Sequence, residues 1–336
     1  MRAAPAASAR VDRRLRALIS DERFPAKYGR ILEEFVAAYR NALSEAAPDD
    51  CESLIATFID RLEEQLDSPF TFEPYHRQLT APFDYYRFGV EFLRPLVDKS
   101  MSSLRGHVNL DRAAAQLASG ENVIFLANHQ TEGDPQAISL LLEDTHPAIG
   151  KEMIFVAGER VTTDPLAVPF SMGRNLLCIY SKRYMDHRPE RRAARQRHNQ
   201  RTMERMGELL REGGASVYAA PSGGRDRINA RGLVEVAPFD PPSVEMYYLM
   251  ARRSGRPVHF YPMALDTYAL LPPPDAIQID LGEARRIRRT GIHVAVGAEV
   301  DMERIAEGLA HKHARRRART ERFWQAVCDE YSRFPR

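Results

Sequence analysis

The 336-residue sequence contains only three cysteines, and their spacing suits neither a disulfide framework nor a zinc knuckle. Cys51, Cys178 and Cys328 lie far apart and form no Cys-x-x-Cys pair. No apolar run approaches the ~20 residues that span a bilayer, and the N-terminus lacks the apolar core of a secretory signal. We therefore expect a soluble or peripheral cytoplasmic protein, or a protein of the plastid stroma if a transit peptide has been removed.

An excess of charge of one sign is also missing. The 48 Lys and Arg residues nearly balance the 46 Asp and Glu residues, which leaves a net charge of +2 and disfavours a nucleic-acid partner. The sequence has no Gly-x-x-x-x-Gly-Lys loop, no Gly-x-Gly-x-x-Gly fingerprint and no His-Glu-x-x-His pair. Nucleotide hydrolysis, dinucleotide redox chemistry and zincin proteolysis lack support, so we predict neither a cofactor nor a metal.

Apolar spacing predicts helices in the first third of the chain and strands alternating with helices after it. The stretches from Leu32 to Leu43 and from Ile55 to Leu66 repeat apolar residues three and four positions apart. Short apolar runs predict strands at Val123–Ala127, Met153–Ala157, Leu176–Tyr180, Ser216–Ala220, Val258–Leu265, Ile277–Leu281 and Ile292–Val296. This alternation predicts an α/β sheet covered on both faces, with ligands bound beyond the strand ends.

A His and an Asp follow the first of these strands. His129 and Asp134 stand where the strand turns into a helix, so an imidazole and a carboxylate can meet at the sheet edge. Imidazole titrates near neutral pH, and a carboxylate on its far nitrogen fixes the tautomer. We expect His129 to remove a proton from a substrate hydroxyl. The alternative interpretation is structural, with Asp134 capping a helix that starts at Pro135.

A glycine-rich turn with two arginines follows the strand predicted at Ser216–Ala220. Guanidinium groups bind phosphate oxygens in a bidentate manner, so Arg225 and Arg227 are candidate phosphate ligands. The alternative is a surface turn in which Asp226 pairs with a neighbouring arginine. Glycines allow close backbone approach. The other candidates for substrate contact in this turn are Ser222, Gly223 and Gly224.

Further basic residues flank the strand predicted at Leu176–Tyr180. Lys182 and Arg183 leave the end of this strand and are candidates to add positive potential to the same cleft, with solvated charges as the alternative. Arg174, just before the strand, is a candidate for substrate contact. Arginine-rich stretches at residues 188–211 and 311–322 predict either solvated helix faces or docking surfaces for an acidic protein or an anionic membrane.

Taken together, these motifs resemble those of the soluble plastid-type glycerol-3-phosphate 1-O-acyltransferase family. The resemblance covers essentially the whole chain, including the helical first third. The shared motifs are Pro82-Phe83-Asp84-Tyr85-Tyr86, Asn128-His129-Gln130-Thr131-Glu132 with Asp134-Pro135, Val156-Ala157-Gly158, Asp164-Pro165, Pro169-Phe170-Ser171-Met172-Gly173-Arg174-Asn175-Leu176, Tyr180-Ser181-Lys182, Ala220-Pro221-Ser222-Gly223-Gly224-Arg225-Asp226-Arg227, Pro238-Phe239-Asp240 and Leu271-Pro272-Pro273-Pro274.

The resemblance implies transfer of a fatty acyl group from acyl carrier protein or acyl-CoA to the sn-1 hydroxyl of glycerol 3-phosphate, the first step of phospholipid synthesis. It implies that His129 is the base, that Asp134 orients it, and that Lys182 and Arg183 join the two arginines in holding the phosphate. Tyr184 stands where the family has His and can still donate a hydrogen bond to substrate.

The implied fold is a small N-terminal helical bundle at residues 1–75 and an α/β domain at residues 76–336 with a mixed sheet flanked by helices. Two other functions fit the same residues. One is a lysophosphatidate acyltransferase, although no apolar anchor is present for its greasier acceptor. The other is a non-catalytic module that binds an acidic protein or a membrane surface through the arginines.

Overall fold

The structure is a computed structural model that describes residues 4–44, 48–181, 189–274 and 282–335. Three helices come first, of which the apolar spacing predicted the second and the third. The helices are α1 (Ala4–Ile19), α2 (Ala26–Leu43), α3 (Pro48–Asp67), α4 (Tyr85–Leu93), α5 (His107–Ala118), α6 (Asp134–Leu142), α7 (Pro147–Glu152), α8 (Glu159–Thr163), α9 (Val168–Ser171), α10 (Arg192–Glu212), α11 (Pro241–Arg253) and α12 (Lys312–Ser332). No helix of the described ranges is both long and apolar enough to cross a bilayer.

The strands observed in these ranges include six of the seven predicted. They are β1 (Tyr75–His76), β2 (Ser103–Arg105), β3 (Asn122–Ala127), β4 (Ile154–Gly158), β5 (Asn175–Ile179), β6 (Ser216–Ala219), β7 (Arg227–Ile228), β8 (Val234–Glu235), β9 (Val258–Asp266) and β10 (His293–Val296). The strand predicted at Ile277–Leu281 lies outside the described residues. The short strands β1, β2, β7 and β8 were missed because two or three residues carry too little periodicity.

Eight of the described strands form one mixed sheet in the order β1-β5-β4-β6-β3-β9-β10-β2. The central strands β5, β4, β6, β3 and β9 run parallel, whereas β1 and β10 are antiparallel to their neighbours β5 and β9. All six residues of β3 are buried, as expected for a parallel strand covered on both faces. The mixed α/β sheet is confirmed.

Alternating residues of β3 face two different helical layers. Phe125 packs in a cluster with apolar residues of α5, α6 and α7, whereas Ile124 packs with residues of α10, α11 and α12. Because β3 and β6 run parallel, their carboxyl ends reach the same sheet edge. The loops that carry His129 and Arg225 both begin there.

The N-terminal helices share their apolar core with the rest of the chain. Phe35 of α2 lies 6.1 Å from Phe92 of α4 between ring centroids, and the Tyr39 hydroxyl donates to the Phe92 carbonyl at 2.8 Å. Phe58 of α3 packs on Phe170 at 5.3 Å. The division at residue 75 stays a prediction, and apolar packing is continuous across it.

Candidate active site

His129 and Asp134 are brought together at the end of β3. His129 Nδ1 lies 2.8 Å from Asp134 Oδ2. The Asp134 side chain is buried, whereas the His129 side chain is one-third exposed. An ionised carboxylate accepts hydrogen bonds only, so Nδ1 carries the proton and Nε2 keeps its lone pair for another proton. This is the arrangement of an oriented general base.

The Asp134 carboxylate is held by several further donors. Oδ2 also accepts from the Gln130 N–H at 2.8 Å, and Oδ1 accepts from the Thr131 N–H at 3.1 Å and from the Thr267 hydroxyl at 2.6 Å. Burial alone would raise the pKa of Asp134, but the imidazole and these donors hold the pKa below its usual value. The helix-cap interpretation is wrong, because α6 begins at Asp134 itself. The backbone N–H groups that donate to the Asp134 carboxylate belong to residues before the helix, not to its first turn.

Asp226 connects the arginine turn to the histidine loop. Its N–H donates to the His129 carbonyl at 2.7 Å, and its Oδ2 accepts from Asn128 Nδ2 at 2.7 Å and from Gln130 Nε2 at 3.1 Å. Its Oδ1 accepts from the Ala237 N–H. The side chain is fully buried, so the surface-turn interpretation is wrong. Burial raises the pKa of Asp226 to about 6.

The same two amides anchor the histidine loop to the end of β9. Asn128 donates to the Leu265 carbonyl at 2.8 Å and accepts from the Leu265 N–H at 2.7 Å. The Gln130 side-chain oxygen accepts from the N–H groups of Thr267 and Tyr268 at 2.7 and 2.8 Å. Both amides use oxygen and nitrogen, so His129 is fixed between two rigid anchors. Sequence reasoning missed this role.

Arg225 and Arg227 extend from either side of this buried aspartate. Arg225 Nη2 lies 2.5 Å from Glu283 Oε2, and Arg227 Nη1 donates to the Pro274 carbonyl. The Ser222 hydroxyl donates to the Gly224 carbonyl at 2.8 Å, and Gly223 has a positive φ of 63°, which favours glycine. The remaining candidates Lys182, Arg183 and Tyr184 lie outside the described residues.

A buried network of charges lies beside the site. Arg285 pairs with Glu132 at 2.9 Å and with Asp164 at 3.0 Å. Arg160 pairs at 2.6 Å with Glu283, the carboxylate that also holds Arg225. Burial would raise the pKa of Glu132, but the three arginines hold it below its usual value. Glu132 and Arg285 are far apart in sequence, so no local pattern could reveal the pair.

A cavity of about 180 Å³ opens beside His129. Its floor near the strand ends carries the small residues Ala157, Gly158 and Ala220. Its other walls are mainly apolar and include contributions from α2 and α4. The apolar lining residues include Phe35, Phe92, Leu93, Leu96, Phe155, Val161, Leu166, Phe170, Leu176, Leu270 and Ile287. Arg174 lines the same cavity but precedes β5, so it lies away from the arginine turn.

The arginine-rich helices are only partly solvated. Arg195 of α10 is buried and pairs with Glu159 at 2.9 Å, and Arg319 of α12 is buried and pairs with Glu245 at 2.9 Å. The solvated-face interpretation is therefore wrong at these two positions. Docking of an acidic protein or a membrane on the exposed remainder stays a prediction. Within the described ranges, no cluster of three or more His, Cys, Asp or Glu side chains is placed to hold a metal.

Comparison with known proteins identifies the family of the chain. A family model described as Acyltransferase matches residues 106–266. The chloroplastic glycerol-3-phosphate acyltransferase of Cucurbita moschata is 36% identical over 92% of this chain and 70% of its own length. That of Arabidopsis thaliana is 37% identical over 92% of this chain and 68% of its own.

A solved structure, the 1-acyl-sn-glycerophosphate acyltransferase of Thermotoga maritima, shares 17% identity with a TM-score of 0.42 over 74% of this chain and 79% of that one. This likeness is too distant to bear on substrate. The plant relatives are much more similar and align over nearly the whole chain. The chain is therefore an acyltransferase, and it belongs to the plastid-type glycerol-3-phosphate acyltransferase family.

Proposed function

We propose that the protein moves a fatty acyl group from acyl carrier protein or acyl-CoA to the sn-1 hydroxyl of glycerol 3-phosphate, with His129 as general base. The observation that carries this proposal is the hydrogen bond from the Asp226 N–H to the His129 carbonyl. It joins the base to the turn that bears Arg225 and Arg227. A substrate whose phosphate contacts the arginines thereby presents its hydroxyl near the imidazole.

The proposed reaction is a direct attack on the thioester. The substrate oxygen forms a bond to the acyl carbon while His129 Nε2 takes the hydroxyl proton. Asp134 stabilises the imidazolium that results. The C–S bond then breaks, and the departing thiolate takes the proton from the imidazolium. Holding both reactants beside the base makes the step effectively intramolecular.

A protein nucleophile is not needed for this reaction, since a thioester is already activated. The Ser222 hydroxyl is engaged by the Gly224 carbonyl, and Cys178 is buried in β5, where burial raises its thiol pKa to about 12. Neither group has the activating neighbours of an acyl-enzyme nucleophile. Direct transfer is the simpler course.

The phosphate site in this proposal consists of Arg225 and Arg227, joined by Lys182 and Arg183, which follow β5 in the sequence. Tyr184 supplies a hydroxyl donor where the family has an imidazole. The glycines of the turn let the phosphate approach the backbone. The relatives named glycerol-3-phosphate acyltransferase support this acceptor over lysophosphatidate. Their chloroplastic names support the stroma among the two compartments predicted.

Turnover tests the proposed function directly. Purified protein is incubated with glycerol 3-phosphate and with an acyl donor, either acylated acyl carrier protein or acyl-CoA, whose acyl group is radiolabelled. We expect a 1-acyl product with at least one of the two donors, and the ratio of the two kcat/KM values identifies the physiological donor. Transfer to lysophosphatidate but not to glycerol 3-phosphate would overturn the proposed acceptor.

Arg225→Ala and Arg227→Ala should each raise the KM for glycerol 3-phosphate by about 10- to 100-fold, because each removes a charge-assisted hydrogen bond worth roughly 1.5–3 kcal/mol. The KM for the acyl donor should change much less. Arg253→Ala, which removes an exposed arginine at the end of α11, is the matched control. An effect confined to the donor KM would assign these arginines to the thioester side.

Asp226→Asn should lower kcat and raise the KM for glycerol 3-phosphate together, with a combined loss of about 100-fold in kcat/KM. An asparagine amide cannot accept hydrogen bonds from Asn128, Gln130 and the Ala237 N–H at once. The hydrogen bonds that hold the histidine loop to the arginine turn are therefore weakened. Steady-state kinetics check this, with the exposed turn residue Asp301 changed to Asn as control. A change in only kcat or only the KM would argue that Asp226 does not position both loops.

A further inference from the structure

Arg174 is a buried cation with an incomplete set of partners. Its Nη1 donates to the Ser139 hydroxyl at 2.5 Å, and its guanidinium lies 4.8 Å from the centre of the Tyr86 ring. Within the described residues, Nε and Nη2 are buried and have no hydrogen-bond partner. Only 3% of the residue is exposed. Such unpaired donors are costly and call for an explanation.

A second polar side chain is found in the same wall of the cavity. Gln136 of α6 is buried, its Nε2 makes a long contact of 3.4 Å with the Phe170 carbonyl, and its Oε1 has no partner among the described residues. Both Arg174 and Gln136 line the cavity that contains His129. Among the described residues, the cavity lining therefore includes two hydrogen-bond donors and one acceptor that have no partner.

Arg174 lies at the end of the cavity opposite His129. His129 follows the carboxyl end of β3, whereas Arg174 precedes the amino end of β5, and the strands between them are all parallel. Cys178, the partner of Ala157 in β4, stands four residues after Arg174. At ~3.3 Å per residue the backbone of Arg174 lies about 13 Å from Ala157 along the strand direction, toward the amino ends of the strands.

The backbone around Arg174 is fixed. A Cβ on Gly173 would lie 2.3 Å from the Tyr85 carbonyl oxygen, so the chain just before Arg174 packs directly on the start of α4. Tyr86 on the next position of α4 then stacks on the guanidinium. Burial lowers the pKa of Arg174 to about 10, which leaves it charged at neutral pH.

We propose that the cavity beside His129 holds the fatty acyl chain, and that Arg174 and Gln136 form a polar end wall that sets the longest methyl-ended chain the protein accepts. This inference rests on the proposed function. A methyl group that reaches the guanidinium offers no hydrogen bond to its unpaired donors. Chains that stop short of the wall gain burial with each methylene, and chains that reach it lose that gain.

Arg174→Met removes the charge and keeps an unbranched side chain, whereas Arg174→Lys keeps the charge. Competition between donors of graded chain length gives the selectivity as a ratio of kcat/KM values. For chains beyond the wild-type limit, Arg174→Met should raise the relative kcat/KM by about fourfold per added methylene. Arg174→Lys should keep the wild-type limit, and Gln136→Leu should shift it in the same direction as Arg174→Met.

A hydroxyl at the end of the acyl chain distinguishes a polar wall from one that limits chain length only sterically. An over-length donor with an oxygen at its last carbon should be used better than its methyl-ended counterpart by the wild type, because the oxygen can accept from Nε or Nη2. This advantage should vanish in Arg174→Met. Equal lengthening by Arg174→Lys and Arg174→Met, or no advantage of the hydroxyl, would overturn the polar wall.

Folding and catalysis are controlled separately. Thermal unfolding of each variant is measured first, and Gln136→Leu supplies the test if Arg174→Met does not fold. Displacement of a fluorescent fatty acid by fatty acids of graded length repeats the comparison without turnover. A wild type that shows the length limit in displacement but acylates no glycerol 3-phosphate would refute the proposed function and leave the end wall standing. Unchanged length profiles in folded variants would refute the wall itself.

Discussion

His129→Ala is expected to lower kcat for glycerol 3-phosphate acylation by at least ~100-fold, the usual contribution of a positioned general base. The Kd for glycerol 3-phosphate should stay within about threefold of wild type, since the arginine turn would still hold the phosphate. Single-turnover rates with labelled donor and equilibrium binding of glycerol 3-phosphate separate these effects.

The backbone of the His129 loop should survive this change. Asn128 and Gln130 hold the loop through their own side chains, and the His129 carbonyl keeps the N–H of Asp226 whatever side chain stands at 129. His107→Ala, an exposed histidine at the start of α5, is the matched control and should be silent. A His129→Ala enzyme with kcat within tenfold of wild type would remove this residue from the mechanism.

Asp134→Asn is expected to lower kcat by about 10²- to 10⁴-fold, the upper value being the loss for the equivalent change in a serine protease. A neutral amide no longer stabilises the imidazolium that forms when His129 takes the proton. In either orientation of the asparagine side chain, its NH₂ group lies against a backbone N–H. Oδ2 accepts from the Gln130 N–H and Oδ1 accepts from the Thr131 N–H, so an NH₂ group would face a backbone donor on either side.

The same change should therefore cost stability as well, by about 1–3 kcal/mol for the donors left unpaired. Kinetics and thermal unfolding are measured on the same preparation. Asp111→Asn is the matched control, because Asp111 also contacts a histidine, His146 at 3.0 Å, but at the exposed surface. A stable Asp134→Asn protein with nearly wild-type kcat would show that the carboxylate neither orients the imidazole nor stabilises the imidazolium.

Much of the fold was accessible from periodicity. The helices α2 and α3 and the strands β3 to β6, β9 and β10 all bury continuous or regularly spaced apolar residues, which leaves a clear pattern. The edge strand β1 has two residues and β2 has three, and both depend on neighbours supplied by distant strands. The order of the strands depends on how the faces of the sheet and the helices pack together, and local sequence periodicity does not show this.

The site was predictable where its residues are neighbours in sequence. His129 and Asp134 stand on one turn, so their meeting is a local event. The roles of these residues in catalysis stay predictions, as do those of Arg225 and Arg227. The alternative interpretation paired Asp226 with a neighbouring arginine, but the two arginines contact Glu283 and Pro274, and the carboxylate turns inward to two amides. That choice depends on tertiary packing.

Arg174 illustrates the limit of arguing from residue type. The sequence made Arg174 a candidate for substrate contact, but the polarity of β5 places it at the opposite sheet edge from the residues that follow the strand. The direction of a strand decides which end of a cleft each flanking residue occupies. Direction becomes known only when the strand pairing is known.

The shared core of the N-terminal helices has a consequence for how the chain is made. Helices α1 to α3 are synthesised before the strands of the sheet, yet the apolar cluster that buries them also includes Leu270 and Ile292. The apolar faces of these helices are therefore not fully covered until Leu270 and Ile292 have been synthesised. Contacts that span so much sequence form slowly, so protection of the nascent N-terminal third by chaperones is expected to matter during biosynthesis.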